Sequence, residues 1–181
     1  MGSEFDEVAA ATDPAMVVVT TAVGGERAGC LVGFHSQSSI DPPRYAIWLS
    51  RANHTYGLAL RAEYLAIHFL GEDQLPLSVR FGTLTGDRTD KFAGLAVEDG
   101  PGGVPVLTDV PRHLLVRRVA LLDEGGDHVC LSTEPVAVRH GSGFVPLRLS
   151  ACDELDPGHA HDDRRSRADA QGTVSEDPGA R

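Results

Sequence analysis

The chain has 181 residues, of which 41% are hydrophobic, and its formal net charge is -10. This length predicts one domain with a sizeable core, and the acidity argues against a nucleic-acid groove or an anionic membrane surface as partner. No apolar run is long enough to span a membrane, and no signal peptide opens the chain. We therefore expect a protein that binds neither nucleic acid nor membrane.

The cysteines indicate the cellular compartment. Cys30, Cys130 and Cys152 are far apart in the chain, and no C-x-x-C pair occurs. Such spacing speaks against a zinc site or a redox dithiol. Because their number is odd and no signal peptide is present, we expect reduced thiols, a cytoplasmic location and no metal site.

Composition divides the chain into three segments. Residues 1–13 are acidic and rich in small side chains, and we expect a flexible N-terminus. Residues 152–181 are highly charged and carry almost no large apolar side chain, so burial cannot offset the entropy of ordering them. We expect a disordered acidic tail there and one folded domain over residues 14–151.

The folded segment shows the pattern of short strands joined by turns. The predicted strands are 16–22, 28–34, 44–50, 64–70, 113–123, 128–140 and 144–150. Glycine pairs within residues 24–27 and 124–127 indicate two hairpins. Pro135 cannot donate to a β-ladder, so we expect a bulge or an edge at that position.

Two helices are predicted between these strands. One covers residues 53–62 with Asn53 as its N-cap, and the other covers residues 73–81 with Asp73 as cap. The second helix tolerates Pro76 in its first turn. Together the elements predict a mainly β protein, a split antiparallel β-barrel with two or three short helices.

Several common catalytic templates are missing from the sequence. It contains no G-x-S-x-G elbow, no G-x-x-x-x-G-K-[ST] loop and no G-x-G-x-x-G that opens a helix. The sequence therefore supports neither a hydrolase of the elbow type, nor a P-loop enzyme, nor a Rossmann dinucleotide site.

Two polar stretches are better candidates for a binding site. SQSS (36–39) follows a predicted strand, and its short side chains let backbone groups approach the edge of a flat ligand. A serine-rich surface loop is the alternative. LSRANHT (49–55) ends a strand and enters a helix, whose N-terminus favours anions, and Arg51, Asn53 and Thr55 add charge and donors. A planar group at the first stretch and a phosphate at the second describe flavin mononucleotide (FMN).

The order of these stretches resembles that in the flavin reductase-like FMN-binding family. VVVTTAVGGERAGCLVGFHSQSSIDPP is followed by WLSRANHT, LAIHFL, RF…DKF and GDHV, and the resemblance covers about residues 14–150. It implies a split β-barrel, a homodimer, and hydride transfer from NADH or NADPH to FMN. The chain also resembles the reductase components of two-component flavin monooxygenases, which implies a flavin-dependent monooxygenase as partner.

The same resemblance implies which residues form the site. His128, in the G-D-H element, corresponds to a histidine near the nicotinamide in several members, and we expect it to be catalytic. The ring-binding stretch, the phosphate-binding turn and the RF element correspond here to Gly33, Phe34, His35, Ser36, Gln37, Ser38, Ser39, Ser50, Arg51, Ala52, Asn53, Thr55 and Phe81.

Some positions depart from the family pattern. Leu31 and Gly33 stand where members usually carry hydroxyl groups, so backbone groups must replace those bonds to the ring. Two other functions therefore stay open. One is a flavin-binding module without enzymatic activity, and the other is a deazaflavin-dependent oxidoreductase of the same fold. FAD or deazaflavin are the alternative cofactors to FMN.

Overall fold

The computed structural model describes residues 2–86, 89–141, 143–152 and 155. Among these residues the strands are β1 (Val17–Val23), β2 (Glu26–Val32), β3 (His35–Ser39), β4 (Arg44–Ser50), β5 (Tyr64–Phe69), β6 (Val97–Asp99), β7 (Pro105–Leu107), β8 (Arg112–Leu122) and β9 (His128–His140). The α-helices are α1 (Gly2–Ala10), α2 (His54–Ala59) and α3 (Leu75–Thr83). Short 3-10 turns lie at Glu72–Gln74, Pro101–Gly103 and Leu149–Cys152. In this described part no helix is long and apolar enough to cross a membrane.

Seven of the strands form one antiparallel sheet in the order β2-β1-β5-β8-β9-β4-β3, and β6 pairs with β7 separately. The edge strands β2 and β3 are neighbours in the chain, separated by Gly33 and Phe34 alone. The sheet must therefore curl to bring its two edges together, yet no ladder joins them in the described part of the chain. The mainly β, antiparallel fold is confirmed, as a barrel that hydrogen bonds do not close.

The curled sheet encloses one apolar core and carries a second on its outer side. The enclosed core consists of Val17, Val19, Cys30, Val32, Ile47, Leu49, Ala59, Leu65, Ile67, Val116 and Leu131. Val18 points the other way and joins Phe81 of α3 and Phe92 in the second cluster. Because β1 is covered on both faces, its residues 17–22 are all buried and do not alternate between buried and exposed.

Two predicted local features are confirmed. The β1–β2 hairpin turns at Gly24 and Gly25, whose φ angles of 61° and 86° suit glycine. At Pro135 the β8–β9 ladder is interrupted, because Leu115 pairs with Ala137 and Val116 with Pro135. The intervening residue of β9 has no partner, which makes the expected bulge.

Other predictions are wrong in detail. The sequence predicts a strand over residues 144–150, whereas this segment makes only isolated bridges through Pro146 and Arg148. Asp73 does not cap α3 but lies in the preceding 3-10 turn, while the Gln74 side chain accepts from the Gly71 amide at 2.9 Å.

Both ends of the folded domain contain helical residues. Gly2–Ala10 form α1, within the segment for which the sequence predicts a flexible N-terminus. At the other end Cys152 is buried in the second cluster, so the packed body reaches beyond residue 151. The predicted disordered tail lies almost wholly outside the described residues.

Candidate functional site

The ends of β2, β4 and β9 bring three predicted site residues together. Ser50, the last residue of β4, is the register partner of His128, the first residue of β9. The Phe34 carbonyl accepts from the Trp48 amide at 2.9 Å, and the Phe34 ring lies edge-on to the His128 ring with 5.0 Å between centroids. Phe34 is 57% exposed, so its ring is open to solvent beside the His128 imidazole. This surface can pack against a flat apolar ligand.

The imidazole of His128 is oriented by its neighbour. Its Nδ1 atom lies 2.9 Å from an oxygen of the Asp127 carboxylate. A hydrogen bond donated by Nδ1 fixes the tautomer and leaves Nε2 as the nitrogen that exchanges a proton with a ligand. The geometry therefore suits a group that holds or transfers a proton.

Arg51 joins the end of β4 to the turn that precedes His128. Its amide donates to the Asp127 carbonyl at 2.9 Å, and its Nε donates to the Gly126 carbonyl at 2.8 Å. Its guanidinium also forms an ion pair with Asp123. The hydrogen bond between the two side chains raises the pKa of Arg51 and lowers the pKa of Asp123. The guanidinium predicted to bind phosphate is thus engaged with this turn.

The serine-rich stretch is an edge strand rather than a loop. Ser36, Gln37 and Ser38 of β3 are exposed, and β3 pairs with β4 on one side. The register shifts between Gln37 and Ser39, so Ser38 sits at a bulge. An edge strand presents a row of backbone N–H and C=O groups to whatever lies beside it. Small side chains here leave those groups accessible to a flat ligand.

His35 begins this strand but points to the protein interior. Its Nδ1 lies 2.7 Å from the Tyr45 hydroxyl and its Nε2 lies 2.8 Å from the Ala15 carbonyl. Both bonds are satisfied when Nε2–H donates to Ala15 and Tyr45 donates to Nδ1. Burial lowers the pKa of His35 and raises the pKa of Tyr45 to about 12, so both groups stay neutral. His35 is thus used to anchor β3.

The strand-to-helix turn matches its predicted cap but has few unused amides. Asn53 caps α2, as predicted, and its Oδ1 accepts from the Thr55 amide at 2.9 Å. The amides of Arg51 and Asn53 donate to carbonyls, and the Ala52 amide donates to the Ser50 hydroxyl at 3.3 Å. Contacts from this turn to a phosphate would therefore come mainly from the side chains of Ser50 and Asn53.

Two predicted ligand contacts lie inside the protein. Thr55 is 1% exposed, and its hydroxyl forms a hydrogen bond with the Cys30 thiol. Phe81 is also 1% exposed and packs edge-on to Phe92, with 5.6 Å between ring centroids. A Cβ on Gly29 would come within 2.8 Å of the Phe81 ring, so the ring fills a tight space. Neither side chain is brought to the surface that carries His128.

A cavity of about 400 Å³ lies elsewhere, between the β1–β2 hairpin and the segment that carries Lys91. The Lys91 ammonium is buried, donates to the Gly29 carbonyl at 3.0 Å and to the Phe81 carbonyl at 3.2 Å, and has its pKa lowered by burial. Its ammonium therefore mainly holds the loop against the body. We favour the surface around His128 as the site because the exposed aromatic, hydroxyl and imidazole groups converge there.

Sequence reasoning missed Tyr45, Asp123 and Asp127. The two aspartates flank the predicted Gly-Gly turn and precede His128, so the G-D-H element was a signal for Asp127. Asp123 and Tyr45 gain their roles only through residues brought close by folding.

A family model described as "Flavin reductase like domain" matches residues 11–149. The NADH:riboflavin 5'-phosphate oxidoreductase of Streptomyces pristinaespiralis is 31% identical over 146 residues, which cover 80% of each chain. The reductase subunit HsaB of a flavin-dependent monooxygenase from Rhodococcus jostii is 31% identical over 104 residues, 55% of this chain and 51% of that protein.

A solved structure supports the fold. The flavin reductase domain protein from Arthrobacter sp. FB24 superposes with a TM-score of 0.73 at 22% identity, covering 88% of this chain and 93% of that chain. At this identity the likeness concerns the fold alone.

Proposed function

The chain belongs to the flavin reductase-like domain family, and from this premise we propose that it is an FMN-binding flavin reductase that uses NADH or NADPH. One observation carries the proposal: Phe34, Ser50 and His128 converge at one surface, next to the exposed serines of β3. The name of the Streptomyces relative supports NADH as reductant and FMN as acceptor.

The residues present fit a flavin in two respects. The small exposed side chains of Ser36 and Ser38 leave room for a planar ring against the backbone of β3. The exposed ring of Phe34 offers an apolar contact of the kind that excludes water. We assign the ring to β3 and Phe34, and the phosphate to the side chains of Ser50 and Asn53.

When bound, FMN supplies the chemistry of hydride acceptance and release. The chain supplies position and proton control. His128, held through Nδ1 by Asp127, would hold or return a proton through Nε2. The edge strand β3 and the Phe34 ring would hold and orient the flavin, which is the main contribution of a site that acts by orientation.

A visible spectrum tests the proposal. Purified protein is titrated with FMN, and NADH or NADPH is then added without oxygen. We expect the flavin absorption to bleach within the turnover time, with one nicotinamide preferred. Firm FMN binding without bleaching would favour the flavin-binding module instead. Tighter binding of a deazaflavin than of FMN would favour the deazaflavin-dependent oxidoreductase, and the same titration with FAD settles the choice of flavin.

We assign a flavin-dependent monooxygenase as the partner that takes the reduced flavin, on the name of the Rhodococcus relative. We also propose a homodimer, because apolar side chains of β8 and β9 are exposed: Val119, Leu121, Leu122, Val136 and Val138.

The cysteines are unpaired and buried, which fits the reducing cytoplasm. Residues 14–152 make up the functional domain, and the acidic tail is dispensable for flavin binding.

A further inference from the structure

We propose that Arg51 is a positioning residue that holds the Asp123–Asp127 turn against the end of β4 and so sets the place of His128. The backbone amide of Arg51 donates to the Asp127 carbonyl, and its Nε donates to the Gly126 carbonyl. Its terminal guanidinium nitrogen forms the ion pair with Asp123. Chain connectivity explains why these contacts affect the position of His128. Arg51 directly follows Ser50, and the turn directly precedes His128, the residue that pairs with Ser50. The role of His128 in hydride transfer rests on the proposed function.

The turn needs such a latch because it has no core packing of its own. All five residues from Asp123 to Asp127 are exposed. Gly125 adopts a φ of 84°, and the Asp123 carboxylate accepts from its amide at 2.9 Å. A segment with few buried contacts opens easily, so its position depends on the polar contacts that fasten it. Arg51 supplies two of these contacts from its side chain and a third from its backbone amide.

The alternative role of Arg51, as a direct ligand of the FMN phosphate, makes the opposite prediction for Asp123. A carboxylate on the guanidinium offsets the charge that a phosphate would meet. If Arg51 binds phosphate, Asp123→Asn frees the guanidinium and FMN binds as well as before or more tightly. If Arg51 is a latch, Asp123→Asn weakens one of the contacts that Arg51→Gln removes, so both variants loosen the turn.

Two measurements on full-length Arg51→Gln, Asp123→Asn and the double variant decide between these roles. The first is amide hydrogen exchange of residues 123–128 in the free protein. We expect faster exchange in both single variants and little further increase in the double variant. The second is steady-state kinetics with FMN and with riboflavin. We expect kcat to fall roughly tenfold to a hundredfold, as small misplacements of reacting groups do. The KM values for FMN and riboflavin should change by the same factor.

Matched variants complete the test. Arg51→Lys keeps a positive charge near Asp123 but lacks the planar fork, so its exchange rate and kcat should be intermediate. Arg117→Gln breaks a similar ion pair, with Glu134, about 20 Å further along β9, and should leave exchange at 123–128 and kcat unchanged. Unchanged exchange in Arg51→Gln would overturn the proposal. The proposal would also be overturned if Arg51→Gln raised the KM for FMN but not for riboflavin while Asp123→Asn left both KM values unchanged. If the wild type reduces no flavin, the proposed function fails, while the exchange data still decide the latch.

Discussion

The imidazole of His35 bridges two partners, with Nδ1 2.7 Å from the Tyr45 hydroxyl and Nε2 2.8 Å from the Ala15 carbonyl. These bonds tie the first residue of β3 to β4 and to the segment before β1. The edge strand proposed to carry the flavin ring is therefore anchored at its start by one histidine.

Removal of the tyrosine hydroxyl tests this anchor. Tyr45→Phe leaves Nδ1 of a largely buried histidine without its donor, and we expect a loss of about 1–3 kcal/mol in the free energy of unfolding. Urea unfolding measures the loss. In a His35→Phe background the same change should cost much less, because no nitrogen is left unpaired. An equal cost in both backgrounds would mean that the two side chains do not interact.

The buried His68 should make the protein less stable in acid. Its Nδ1 lies 3.1 Å from the Val18 carbonyl, and its Nε2 accepts from the Leu107 amide at 3.0 Å. Burial, the main cause, and the nearby His113 together lower the pKa of His68 from 6.5 to about 3, although the hydrogen bond to the Val18 carbonyl acts in the opposite direction. Between these values the unfolded chain holds a proton that the folded protein excludes, so stability is full above pH 6.5 and falls as the pH drops.

We expect His68 to contribute up to about 1.4 kcal/mol of lost stability per pH unit in that window. Urea unfolding at a series of pH values measures the slope for wild type and for His68→Gln, which cannot titrate. The variant should be less stable at pH 7 but should show a shallower slope. Identical slopes would rule out His68 as the source.

Phe81 distinguishes a core residue from a ligand contact. Because its ring fills the space against Gly29 and Phe92, Phe81→Ala should cost about 3–5 kcal/mol of stability through lost burial and a cavity. The FMN affinity of the fraction that remains folded should stay unchanged. Flavin fluorescence titration well below the unfolding temperature measures this affinity. A large loss of affinity would mean that Phe81 contributes to the flavin site.

The assignment of ring and phosphate can be tested by charge and by bulk. Asn53→Asp keeps a good N-cap for α2 but brings a negative charge to the proposed phosphate position. FMN affinity should fall about tenfold or more, as 1.4 kcal/mol per factor of ten implies, whereas riboflavin affinity should hold. Ser38→Leu should weaken both ligands because it blocks the ring. Equal effects of Asn53→Asp on FMN and riboflavin would refute the phosphate position.

The proposed dimer depends on exposed valines of the β8–β9 hairpin. Val138→Glu places a charge on this surface and should shift the protein from dimer to monomer at micromolar concentration, as measured by light scattering. Val145 is equally exposed, at 61%, but lies outside these strands, so Val145→Glu should remain dimeric. A wild-type protein that is monomeric with flavin bound would exclude the dimer.

Features set by a few neighbouring residues could be predicted from the sequence alone. The turn at Gly24 and Gly25 follows from backbone angles that glycine adopts freely, and the cap at Asn53 follows from a side chain that reaches its own helix. The bulge at Pro135 follows from a missing amide hydrogen. Each has a local cause, and the order of strands and turns then indicated an antiparallel β fold and its family.

The site required long-range pairing that no local pattern contains. Arg51 meets Asp123 across 72 residues because β4 and β9 pair in one register, and His35 turns inward because Tyr45 and Ala15 lie beneath it. Phe81 and Thr55 look like surface candidates in sequence, yet folding buries both, and the Phe81 ring of α3 packs against Gly29 of β2. The sequence by itself determined most of the strands, their turns and the resemblance to the family, because these have local causes. Only the tertiary structure decided which polar side chains of the candidate site are exposed and which are buried, because hydrogen bonds and burial are satisfied between segments that fold together.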